Sequence, residues 1–197
     1  MRTWILFAAI AGLVWWLLSE DPIRHGPGVI AAKPPIQIAV DDMQVFDHRG
    51  YSIKPLARFE MTARVLGRED YSFDREAELA PIDLAVGWGP MSDEQVLDRI
   101  EISQGGRWYR WRSREMPLQR QEIQYNSANM HMIPKDEIIA DLLDEVRLGH
   151  ILHLRGYLVE ARAPDGWHWR SSLSRKDSGA RACELIFVES LSFEGPS

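Results

Sequence analysis

The chain has 197 residues, 45% of them hydrophobic and 26% charged, a balance that supports one folded domain with short appendages and excludes wholesale disorder. Its formal net charge is −6, and because Arg2 is the only charged side chain before Glu20, everything beyond residue 19 carries about −7. That acidity argues against a nucleic-acid-binding domain, which relies on surplus Lys and Arg to displace phosphate counterions. The single cysteine, Cys183, permits no intrachain disulfide and leaves the compartment open.

Residues 1–19 predict a transmembrane anchor. Thr3 to Leu18 reads TWILFAAIAGLVWWLL without a charge, and with Ser19 it makes roughly 25 Å of helix, near the lower limit for a bilayer span. Trp4 at one end and Trp15–Trp16 at the other stand where interfacial aromatics belong. A cleaved signal peptide is the competing reading, but Ser19-Glu20-Asp21-Pro22 follows the apolar run directly and supplies no small-residue cleavage site. Arg2 before the span and Glu20 and Asp21 after it favour an exported C-terminal domain, with Arg24 and Lys33 weakening that bias.

Residues 20–35 hold four prolines and two glycines without periodicity and read as a semi-extended linker. Residues 36–197 then predict a soluble α+β domain, mainly antiparallel β with two helices. Arg58 to Val65 alternates cleanly, with Phe59, Met61, Ala63 and Val65 on one face. Ile36–Val40, Ile82–Val86, Ile151–Val159 and Leu185–Val188 are further strand candidates, and Asp165-Gly166 marks a hairpin. Ser92-Asp93-Glu94-Gln95 resembles a capping box opening a short helix. A second helix is expected from Pro134 to about Leu148, with Ile138, Ile139, Leu142, Leu143 and Val146 as its apolar stripe. A small barrel of the OB type is one reading of the last third.

No segment reaches the specificity of a reaction motif. Gly87-Trp88-Gly89 sits between a strand and a helix like a dinucleotide loop, but Ser92 replaces the third glycine, so a glycine-rich turn packed against Trp88 is the simpler reading. RWYRWRSR (107–114) interleaves arginines and aromatics; Tyr109 and Trp111 fall on one strand face and Arg110, Arg112 and Arg114 on the other, with Arg107 at its start. SANMHMIP (127–134) places Asn129 and His131 in a connection ahead of the long helix. GWHWRSSLSRKDSG (166–179) has the composition of a binding loop, with Arg170, Arg175 and Asp177 among its polar groups.

The histidines lack metal-ligand spacing, so neither a metal nor another cofactor is expected. Nucleophilic catalysis has no GxSxG or Ser-x-x-Lys signature, leaving a hydrolase-type alternative built on His131 with Cys183 or a serine, with a Cys183–His168 pair also open. The candidate contact surface is Trp88, Arg107, Tyr109, Asn129, His131, Arg170, Arg175 and Asp177, expected to meet an envelope protein partner rather than nucleic acid.

GWGPMSD (87–93), the run Gln104, Arg107-Trp108-Tyr109 and Trp111, SANMHMIP and WRSSLSRKDSGARACELIFVE together resemble uncharacterised single-pass membrane-anchored proteins of proteobacteria. The resemblance implies a bacterial inner-membrane protein with a C-terminal domain in the periplasm, and it implies no activity.

Overall fold

The computed structural model describes residues 22–174 and 183–194. The expected anchor at residues 1–19 lies outside them, and among the described residues no helix is long and apolar enough to cross a membrane.

Among the described residues the domain is mainly strand with four α-helices where two were expected, an α+β arrangement. In chain order it comprises β1 (Ile36–Ala39), β2 (Phe46–His48), β3 (Tyr51–Asp70), α1 (Arg75–Leu79), β4 (Ile82–Gly87) and α2 (Glu94–Leu97). There follow β5 (Glu101–Gly105), β6 (Trp108–Arg112), α3 (Arg120–Tyr125), β7 (Ser127–Pro134), α4 (Glu137–Asp144), β8 (Ile151–Arg162), β9 (His168–Arg170) and β10 (Glu184–Glu194).

Five of these strands pair in a closed circuit. β3 pairs with β4, β4 with β7, β7 with β10, β10 with β8, and β8 returns to β3. All these pairings are antiparallel except β7 with β10, which run parallel with His131 opposite Leu185. Closure requires strong bending, and register shifts occur at Pro55/Ala57 and Val65/Gly67 in β3 and at Val188/Ser190 in β10. Gly156 of β8 allows close approach, since a Cβ there would overlap the Phe187 carbonyl of β10.

The inside of this circuit is apolar. Phe59, Met61, Ala63 and Val65 of β3 meet Leu84 and Val86 of β4, Met130 and Met132 of β7, Leu152 and Leu154 of β8, and Ile186 and Val188 of β10. Helix α4 closes one end with Ile139 and Leu143. Its start differs from the expectation. Pro134 ends β7 opposite Val188, and Asp136 caps the helix by accepting from the Ile139 N–H at 2.9 Å. SANMHMIP is accordingly a strand and not a connection, because Met130 and Met132 alternate with Asn129 and His131 at period two. Outside the circuit lie two smaller apolar clusters, one around Ile53, Leu79, Val159 and Phe187, the other around Leu66, Ala85, Met91 and Ile123.

Over the described part of the expected linker the chain lies against the barrel. Residues 22–31 have no regular structure, yet they run as a strap along the barrel because side-chain acceptors replace a strand partner. Ile23 donates to the Leu148 carbonyl at 2.9 Å, His25 N–H to Glu94 Oε2 at 2.9 Å, and Gly28 N–H to Asp93 at 3.0 Å. Ser92 Oγ accepts from the N–H groups of Ile30 and Ala31 at 3.2 and 3.1 Å. Ser92 is therefore engaged with the strap, and Asp93 caps α2. Glu94 also takes Arg64 at 2.5 Å in a largely buried pair. Gly149 (φ +89°) admits the strap, since a Cβ there would overlap the Ile23 carbonyl.

Burial works to raise the Glu94 carboxyl, but the hydrogen bonds from His25 and Arg64 outweigh it and hold the group below its ordinary value. Its contribution is complete above the unfolded-state value of about 4.3 and is lost as pH falls through the lower folded-state value. Glu94→Gln is expected to raise amide exchange across residues 23–31 by at least ~10-fold at pH 7, consistent with the ~3–5 kcal/mol typical of removing one partner from a buried pair. Wild-type exchange should approach the variant's only in acid, as hydrogen–deuterium exchange followed by mass spectrometry will read.

Candidate functional site

On the outer face of β4 and β7, between the two smaller apolar clusters, lies a polar network centred on Asp83. This carboxylate is 0% exposed within the apolar run Ile82–Val86. A carboxylate so placed must be satisfied by donors. His131, directly opposite on β7, bonds it through Nδ1 at 2.7 Å. Arg107 Nη1 donates to the same oxygen at 2.9 Å, and Asn129 Nδ2 to the other at 3.2 Å. Gln104 donates to Asn129 Oδ1 at 2.8 Å.

Arg107 arrives from the two-residue turn joining β5 and β6. Gly106 (φ +60°) and Arg107 (φ +67°) are both left-handed, the geometry of a tight type I′ hairpin. Asn, Asp or Gly ordinarily fills that second position, so an arginine there bears a conformational cost of roughly 1 kcal/mol. Its ties offset that cost. Besides Asp83, its guanidinium donates to the Ala80 carbonyl at 2.8 Å and to Asp74 at 2.8 Å, and it lies 3.7 Å over the Tyr71 ring. Tyr71 Oη in turn accepts from the Arg107 N–H at 2.9 Å. The hydrogen bond from Arg107 leads the effects that hold Asp74 below the usual carboxylate range.

The remaining wall comes from the C-terminal third. Trp169 of β9 packs its ring 4.7 Å from that of His131 and 5.7 Å from the Arg107 guanidinium. Cys183, just ahead of β10, points its thiol at the Arg107 carbonyl at 3.8 Å. Burial, helped by the negative charges of Glu184 and Asp83, pushes that thiol up to about 11. Beyond Asp74 the network opens onto a shallow depression of about 540 Å³ lined by Tyr51, Phe73, Arg75 and Glu78. Phe73 is fully exposed at its rim.

Of the expected contact residues, Arg107, Asn129 and His131 converge on Asp83. Trp88 does not; it is 2% exposed and packs in the barrel core. Tyr109 packs beside the outer cluster of Leu66 and Ile123 and shares a 2.5 Å hydrogen bond with Ser127, so it supports β7 from behind the network. Arg170 pairs with Glu160 across the β8–β9 ladder at 2.6 Å. Arg175 and Asp177 lie outside the described residues. Asp83, Asp74, Tyr71 and Gln104 were not anticipated as site residues. The available signal was Asp83 itself, a lone carboxylate inside an otherwise apolar strand.

No family model, curated protein or solved structure matches this chain.

Two outcomes follow from the network's chemistry. Asp83→Ala leaves the Arg107 guanidinium without its most buried partner and is expected to cost about 3–5 kcal/mol in urea unfolding. A thiol raised from 9.0 to about 11 has about a hundred-fold smaller thiolate fraction at pH 8. Alkylation of Cys183 in the folded protein should therefore run at least ~100-fold slower than in urea, as a mass-spectrometric time course will measure.

Proposed function

We propose that this chain is a membrane-anchored binding protein of the bacterial inner membrane. In this reading a single-pass helix at residues 1–19 carries an exported OB-type barrel, which receives another envelope component on its His131–Trp169 face. The observation that carries the reading is the state of His131. Its Nδ1 is fixed on Asp83, its ring rests on Trp169, and its Nε2 has no hydrogen-bond partner among the described residues. A buried imidazole held rigid with one nitrogen uncommitted is a pre-organised group for a partner's polar atom, because its ordering cost is met before binding.

The OB reading is supported by the strand circuit, by the parallel pairing of its third and fifth strands, and by α4 lying between the third and fourth. Barrels of that type bind ligands on the face of their second and third strands, between the loops joining strands one to two and four to five. Here the strands contribute Asp83 and His131, and the loops contribute Asp74 and Trp169. This part of the reading is fold-level analogy.

A hydrolase built on His131 needs a nucleophile within reach of Nε2. The Cys183 thiol instead faces the Arg107 carbonyl and is kept protonated by burial, and no serine hydroxyl bonds the imidazole among the described residues. Binding is the better-supported reading.

In-cell crosslinking of the tagged full-length protein, followed by purification and mass spectrometry, tests it. One reproducible envelope protein is expected, with recovery reduced at least ~10-fold by His131→Ala and by Trp169→Ala, the scale of one lost buried hydrogen bond or ring contact. Undiminished recovery from both variants, each folded by circular dichroism, would remove the His131 face from the proposal.

A further inference from the structure

We infer that the barrel is seated on the lipid headgroup surface, with the end formed by Ile23, Leu97, Arg99 and Leu148 turned toward the bilayer. The inference rests on the proposed span at residues 1–19 and adds the orientation of the domain upon it.

The strap removes the slack that a free linker would provide. Ile23 is bonded through its N–H to Leu148, and Arg64 Nη2 reaches its carbonyl at 3.5 Å. Arg24 pairs with Asp98 at 2.9 Å, and His25 is bonded to Glu94 and through Nε2 to the Gly149 carbonyl at 2.6 Å. Five peptide steps separate Ile23 from Leu18, the last residue of the apolar run. Fully extended, they span roughly 17 Å. A headgroup layer of roughly 5–8 Å takes up part of that reach. The attachment point therefore stands no more than about 12 Å above the headgroups, comparable to the ~8 Å Debye length at physiological salt.

The chemistry of this end suits such a seat. Beside Pro22 runs a groove of about 220 Å³ lined by Leu66, Leu97, Ile100, Ile102 and Leu148, with the charged groups of Arg24, Arg64 and Glu94 also in its wall. Leu148 is 39% exposed at its rim. Arg99, in the turn after α2, is exposed and has no acidic partner among the described residues. Of the arginines at this end, Arg24 is paired with Glu94 and Asp98 and Arg64 is buried against Glu94, which leaves Arg99, among the described residues, to pair with phosphate while the apolar rim meets the acyl boundary. Glu20 and Asp21 fall in the connection itself and oppose anionic lipid, so the short tether and the apolar rim set the seating, with Arg99 a secondary contact.

Full-length protein in vesicles of phosphatidylethanolamine and phosphatidylglycerol, doped with a headgroup-quencher lipid, tests the seating. Native Cys183 is half-buried with a raised thiol, so a fluorophore goes to a cysteine introduced at Leu148→Cys, at Arg99→Cys, or at Ser52→Cys. Ser52 lies twelve residues before Arg64 on β3, roughly 40 Å along the strand path. Quenching at positions 148 and 99 is expected to exceed that at position 52 by at least ~3-fold. Equal quenching at all three positions, in protein that floats with the vesicles, overturns the seating and leaves the anchor standing. Protein that does not float overturns the anchor, and the seating with it.

Discussion

The outer half of this domain depends on one buried carboxylate. Asp83 lies in the middle of a sheet, 0% exposed, where an unpaired charge would be too costly to keep. Three side chains from two segments, His131 and Asn129 of β7 and Arg107 of the β5–β6 turn, satisfy it, and each is constrained in turn. His131 is locked in orientation, Asn129 is held by Gln104, and Arg107 is drawn from a hairpin tip in a backbone conformation that arginine disfavours. The β5–β6 hairpin, the segment around Tyr71 and Asp74, and the β9 hairpin are thereby gathered over one patch of β4 and β7. The apolar clusters on either side contribute area, while the carboxylate fixes position, because hydrogen bonds are directional and burial is not.

The same logic appears at the barrel's other attachment. A stretch with too much proline and glycine for a strand is nevertheless held flat, because Ser92, Asp93 and Glu94 offer side-chain oxygens in succession along a short turn. In both places the irregular chain is fastened by acceptors projecting from regular structure. The barrel supplies rigidity, and a few polar atoms determine what lies on it. A surface assembled this way has little conformational freedom left to lose on contact.

Much of the scaffold was legible in the sequence. The alternation from Arg58 to Val65 gave the inner face of β3, and Asp165-Gly166 gave the β8–β9 turn, where Gly166 has φ +91°. The β6 strand presents Tyr109 and Trp111 inward and Arg110 and Arg112 outward, as alternation requires. SANMHMIP was harder, because its polar members, Ser127, Asn129 and His131, imitate a loop unless their buried partners are known. Pro134 likewise imitates a helix start when a strand end is equally compatible with its fixed φ. Asn129, His131 and Arg107 were recognisable as unusual, but their shared partner was not. Asp83 lies twenty-four residues from Arg107 and forty-eight from His131, and no local pattern encodes such a convergence. Trp88 misled for the opposite reason: a tryptophan between glycines resembles a binding loop and is here core packing.

The parallel pairing of β7 with β10 carries a kinetic corollary. His131 and Leu185 are neighbours across fifty-four residues of chain, and β10 is the strand that joins both β7 and β8. Until it docks, two long strand edges remain open and the Asp83 patch has no wall on the side of Cys183. Loop-closure entropy falls due before those contacts reward it, which places the domain among slow, high-contact-order folders. Synthesis from the N-terminus adds a second delay, since the closing strand is the last described element to be made. The nascent domain is thus an open half-barrel with exposed edges, vulnerable to wrong pairing during its passage to the folded state.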